Sequence, residues 1–108
     1  MSCQPQTSKI AKVDKVFLEQ EVLGKKAQLI DVRTPVEYDS GHIEGAVNYN
    51  IIDSETFLSQ ISVLDKNQPV YVYCKMGGRS NRAAQLLKEH GFLEIFDYSG
   101  GYNDWVTD

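Results

Sequence analysis

The segment VYVYCKMGGRSNRAAQLL, residues 70–87, constrains the fold of this chain more than any other. Val70 to Tyr73 is a β-branched and aromatic run of strand length, which predicts a central, buried strand. After a loop from Cys74 to Arg79, Ser80 is placed to cap a helix whose Ala83, Leu86 and Leu87 face the core, with Lys88 in its last turn and Gly91 at C′. The same alternation runs through the rest of the chain. Ile10, Ala11 and Val13 predict a short strand. Asp14 is an N-cap, and Val13 and Leu18 are spaced as a hydrophobic staple for a helix over about 15–23, stopped by Gly24. Gln28 to Val32 reads as a strand, and Pro35 opens a short helix that Gly41 ends. Ala46 to Asn48 is a brief strand, and Asp53 or Ser54 caps a helix with Phe57, Leu58, Ile61 and Leu64 on one face. Glu94 to Tyr98 gives a last strand, and Gly100-Gly101 lead into a terminal helix carrying Trp105. Strand alternating with helix implies an α/β fold, a mainly parallel sheet with helices on both faces.

Composition bounds what such a fold can do. One hundred and eight residues suit one domain, read as a tail over 1–8 and a domain over 9–108, and 42% hydrophobic residues suffice for a core. The longest apolar run, Val70 to Cys74, is far short of the ~18 residues that cross a bilayer, and no cleavable signal segment precedes the domain. A net charge of −4 argues against a general nucleic-acid or anionic-membrane surface, so any anion binding is local. Cys3 and Cys74 are too few for a disulfide scaffold and lack zinc-site spacing, so no metal is expected. Ser2-Cys3 before a polar, proline-containing stretch resembles the mature end of a bacterial lipoprotein if Met1 is an expression start. An ordinary cytosolic N-terminus with an incidental cysteine fits equally, which leaves cytoplasm and envelope both open.

Cys74 stands where a buried parallel strand hands over to a helix, the place where open α/β sheets bind ligands. Gly77 and Gly78 permit restricted backbone angles, so successive amides can turn inward as an anion-binding nest, and the following helix adds its N-terminal amides. With Lys75 and Arg79 beside it, the sulfur is expected to be held as a thiolate and to act as a nucleophile. The bland alternative is a small buried residue ending a strand.

At this point the chain resembles the rhodanese family of single-domain sulfurtransferases. The resemblance rests on LIDVRTPVEYDSGHIEGAVN at 29–48, CKMGGRS at 74–80 and YSGGYNDW at 98–105, in the family's order and approximate spacing. It implies a three-layer α/β/α architecture with a five-stranded parallel sheet. It also implies that Cys74 takes the outer sulfur of thiosulfate, releases sulfite and passes the sulfur to cyanide or a thiol, without metal or organic cofactor. By position, Lys75, Met76, Gly77, Gly78 and Arg79 then form the substrate cradle, and Ser80 starts the helix. A persulfide carrier that hands sulfur to a protein partner is the second hypothesis. A cysteine phosphatase is the third, and the loop count opposes it, because Arg79 lies one position closer to the cysteine than in a Cys-x5-Arg loop.

Other reactive residues read more simply. Asp31 and Arg33 are expected to pair with neighbours such as Glu37 or Glu44, and His42 to pack rather than act as a base. His90 suits a helix C-terminus, Trp105 and Tyr102 suit core positions, and Met76 is a rim for acceptors or a filler. Between Lys66 and Lys88 stand five basic residues, Lys66, Lys75, Arg79, Arg82 and Lys88, and no acidic one, which predicts a positive mouth over the site.

Overall fold

A computed structural model describes residues 8–107. Cys3 and the rest of the proposed tail up to residue 7 lie outside the described residues. Five parallel strands, β1 (Lys9–Val13), β2 (Gln28–Asp31), β3 (Val47–Asn48), β4 (Val70–Tyr73) and β5 (Glu94–Tyr98), form one sheet in the order β1-β5-β4-β2-β3. Five helices connect or follow them: α1 (Lys15–Glu21), α2 (Pro35–Ser40), α3 (Ser54–Ile61), α4 (Gly78–Glu89) and α5 (Gly101–Trp105).

Strand side chains alternate between the two faces, and each face has its own core. Val70, Val72 and Cys74 join Ile30, Phe57, Ile61, Ala83, Ala84 and Leu87 on the side covered by α3 and α4. Tyr71 and Tyr73 join Leu18, Leu29, Ile43 and Tyr98 on the other side, where α1, α2 and α5 pack with Tyr38, Tyr102 and Trp105 partly buried. The α/β/α layering expected from the alternation is therefore present, and β4 is buried at every position because it has a strand on either side and helices above and below.

The helix starts follow local chemistry. The Asp14 carboxylate accepts from the Phe17 N–H, and at α2 Thr34 and Glu37 form a reciprocal capping box with Pro35 at the first position. Asp53, not Ser54, caps α3. Two boundaries differ from expectation. Helix α1 ends at Glu21 because the Val22 and Leu23 amides both bond back to the Leu18 carbonyl, leaving Gly24 in a turn with φ +74°. Helix α4 starts at Gly78 with Gly77 as N-cap, so Ser80 is not its cap but a fully buried residue of its first turn.

Candidate functional site

The carboxyl ends of β2 and β4 adjoin, and the helices that follow them leave on opposite faces of the sheet: α2 toward the tyrosine-rich core, α4 toward the aliphatic one. A crevice opens at such a switch point. Cys74 is the first residue past β4, at that switch point, and is 1% exposed.

The loop above it is held from two directions. The Gly77 N–H donates to Cys74 Sγ at 3.0 Å, which turns one amide of the nest onto the sulfur. Gly77 has φ +106°, and a Cβ there would sit 2.7 Å from the Ser99 carbonyl oxygen, so both the angle and the space require glycine. Gly78 is different. It is the first residue of α4, has no positive φ, and a Cβ on it would meet nothing within 4 Å, so the expectation that both glycines serve restricted angles holds for Gly77 alone. From the other side, the Tyr102 N–H donates to the Cys74 carbonyl at 2.8 Å and the Asn103 N–H to the Lys75 carbonyl at 3.2 Å. The first amides of α5 thereby satisfy the loop's outward carbonyls. Gly101, at φ +71°, leaves no room for a Cβ against the Lys75 carbonyl.

Arg79 is not free. Its guanidinium makes a bidentate pair with Glu37 on α2, at 2.7 and 3.0 Å, which bridges the two helices that flank the crevice. The hydrogen bonds from Arg79 outweigh partial burial and hold the Glu37 carboxyl down at about 2. Reciprocally, the Glu37 hydrogen bond raises Arg79, with a smaller contribution from the Cys74 sulfur. Lys75 and Met76 are exposed, Met76 at 71%. Sequence reasoning missed Glu37 as the partner of Arg79, although the Thr-Pro-Val-Glu capping box marked where that carboxylate would stand.

Beneath the crevice lies a buried knot. Arg33 pairs with Asp31 itself at 2.6 Å, not with Glu37 or Glu44, because Asp31 ends β2 two residues earlier and both side chains turn to the same side. Tyr73 Oη donates to Asp31 at 2.8 Å and accepts from the Ile43 N–H, while Arg33 reaches the Gly41 carbonyl and lies 4.4 Å from the Tyr102 ring centroid. Burial and the adjacent Asp31 charge push the Tyr73 hydroxyl well above its usual range, so it remains a donor. His42 is exposed and stacked on Tyr38 at 3.8 Å, with Nδ1 against the Tyr38 carbonyl. Trp105 is only partly buried, edge-on to Tyr98 and under Lys15.

The positive mouth is not assembled from all five residues: Arg82 is exposed near the start of α4, but Lys66, Lys88 and Arg79 do not contribute. Lys66 lies against Gly91, past the far end of α4, and Lys88 is ten residues beyond Gly78, about 15 Å along the helix at 1.5 Å per residue. Arg79 is neutralised by Glu37, which leaves Lys75 as the exposed loop cation without an acidic partner among the described residues.

Comparison with known proteins agrees with this layout. The family model for the rhodanese-like domain matches residues 17–108. The uncharacterized protein YqhL of Bacillus subtilis is 40% identical over 96 residues, covering 87% of this chain and 74% of that protein. Thiosulfate sulfurtransferase GlpE of Shewanella oneidensis is 35% identical over 88 residues, covering 82% of this chain and 84% of that protein. Among solved structures, the human single-domain sulfurtransferase TSTD1 superposes with a TM-score of 0.75 at 26% identity, covering 88% of this chain and 94% of that one.

Proposed function

The chain belongs to the rhodanese-like domain family, and from that premise we propose that it is a sulfurtransferase that carries sulfur on Cys74, with thiosulfate or a similar sulfane donor as its source. The observation that carries this reading is the Gly77 N–H directed at Cys74 Sγ within a loop that starts α4. An amide aimed at sulfur favours the anion, and the positive end of α4 adds to it.

The chemistry balances without a further reactant. The Cys74 thiolate attacks the outer sulfur of thiosulfate, the sulfur–sulfur bond of the donor breaks, and sulfite leaves with its electron pair. The new Cys74 persulfide is an anion on the same amide. A thiolate or cyanide then attacks the outer sulfur, and the Cys74 thiolate leaves as the loop's resting form. Phosphoryl transfer is less well served, since the guanidinium that would grip phosphate already spends both its forks on Glu37. A carrier role toward a protein acceptor draws support from Met76, an apolar side chain 71% exposed on the loop itself.

Incubation with thiosulfate followed by peptide mass analysis tests the proposal. The expected result is one added sulfur atom on the Cys74 peptide and loss of thiosulfate:cyanide transfer in Cys74→Ser. Sulfur found on Cys3 alone, or full turnover in Cys74→Ser, overturns it. A persulfide that forms but does not pass to cyanide selects the carrier role.

A further inference from the structure

Asp97 is the one acidic residue in the buried stretch of β5, and nothing in the chemistry above uses it. It is 1% exposed, aligned with Val72 on β4 and Lys12 on β1, and directed to the α4 side of the sheet. Its Oδ1 lies 2.6 Å from Ser80 Oγ, and its Oδ2 is buried with no hydrogen-bond partner among the described residues. Ser80 Oγ is also 3.1 Å from the carbonyl oxygen of Gly77, the residue whose N–H meets Cys74 Sγ.

We infer that Asp97 is a positioning residue for the nucleophile: through Ser80 it fixes the Gly77 carbonyl, and with it the N–H that Gly77 presents to the Cys74 sulfur. A hydroxyl has one proton, so Ser80 cannot donate both to Asp97 and to Gly77. Both contacts are satisfied when Asp97 carries the proton, donates it to Ser80 Oγ, and Ser80 donates to Gly77. An ionised Asp97 would instead draw the Ser80 proton to itself, take it from the Gly77 carbonyl and bury a negative charge whose Oδ2 has no donor among the described residues, an arrangement that costs more free energy than the neutral acid. Burial raises the Asp97 carboxyl; a Ser80 hydroxyl donating to the ionised form, and Lys12, the charged residue in register on β1, act in the opposite and lesser direction. Val72, its neighbour on β4, adds no charge. The relay matters because Gly77, at φ +106°, has a backbone that only its contacts hold in place.

This inference rests on Cys74 being the reactive sulfur, so its test uses no sulfur donor. In a Cys3→Ser background, the pH profile of Cys74 alkylation by iodoacetamide is measured for Ser80→Ala, Asp97→Val and Asp97→Asn, with folding checked by circular dichroism. Ser80→Ala and Asp97→Val are expected to move the profile midpoint up by about half a pH unit or more, because a hydrogen bond to the thiolate is weakened. Asp97→Asn, whose amide donates to Ser80 as the protonated acid does, is expected to keep the midpoint. An unmoved midpoint in folded Ser80→Ala overturns the inference, as does Ser80→Ala that no longer folds, or an Asp97→Asn shift as large as that of Ser80→Ala. If Asp97→Val does not fold, the other two variants decide. A shifted profile in a protein that does not turn over thiosulfate sinks the substrate reading and leaves this one standing.

Discussion

Two adjacent glycines illustrate how differently one residue type is used. Gly77 combines a left-handed φ with a carbonyl 2.7 Å from where a Cβ would stand, whereas Gly78 is helical and open. Gly77→Ala should therefore lose about 1–3 kcal/mol of stability and lower sulfur transfer at least roughly tenfold, since the displaced amide is the one on Cys74. Gly78→Ala should gain about 0.4–1 kcal/mol by restricting the unfolded chain. Thermal unfolding beside a thiosulfate assay checks both, and equal destabilisation by the two changes would contradict the assignment. Cys74 itself, at 1% exposure, has the burial of an inert structural thiol. The amide on its sulfur is the feature on which its proposed reactivity rests.

Between elements, the crevice is closed by charge. The Glu37–Arg79 pair joins α2 to α4 across the switch point, while the Asp31–Arg33–Tyr73 knot joins the ends of β2 and β4 to the end of α2 below it. The outer pair has each side chain more than a quarter exposed, so screening limits its worth to about 1 kcal/mol. Its pH dependence has a fixed sign. Glu37 titrates at about 2 in the fold against 4.5 when unperturbed, so its contribution is fully present above pH 4.5 and is lost as pH falls through about 2. Urea unfolding of wild type and Glu37→Gln should thus differ by about that amount at neutral pH and converge near pH 2. A difference that persists at pH 2 would show that the carboxylate is not what stabilises the bridge. The inner knot is fully buried, where losing one partner strands the other, so its removal is the costlier change at about 3–5 kcal/mol.

At the scale of the molecule, charge placement decides how an acidic protein meets an anion. The chain carries −4, and the basic run from Lys66 to Lys88 is spread along the length of α4 rather than gathered at the crevice. For the thiosulfate donor proposed above, Lys75 is the exposed cation of the loop and the Gly77 N–H the amide at contact. Lys75→Ala is expected to raise the thiosulfate KM several-fold, and Lys66→Ala and Lys88→Ala to leave it unchanged. The salt dependence of kcat/KM should weaken in Lys75→Ala, since screening acts over ~10 Å at 0.1 M salt. Equal effects of Lys75→Ala and Lys88→Ala in steady-state assays would restore a collective field.

The order of strands and helices, the central place of β4 and the location of Cys74 at its end were legible in the sequence, because they depend on local patterns: β-branched runs, the Asp14 cap, Pro35 at a helix start, and Gly24, Gly41 and Gly91 as stops. Contacts between residues distant in sequence were not. That Arg79 turns to Glu37 and not to the sulfur, that Tyr73 donates to Asp31, that α5 caps the loop carbonyls and that Ser80 faces Asp97 instead of capping α4 all follow from which ends the parallel sheet brings together. A side chain's range of local options is written in its own neighbourhood. Its partner is chosen by the free energy of burying both groups at once, and that quantity exists only when the sheet has closed.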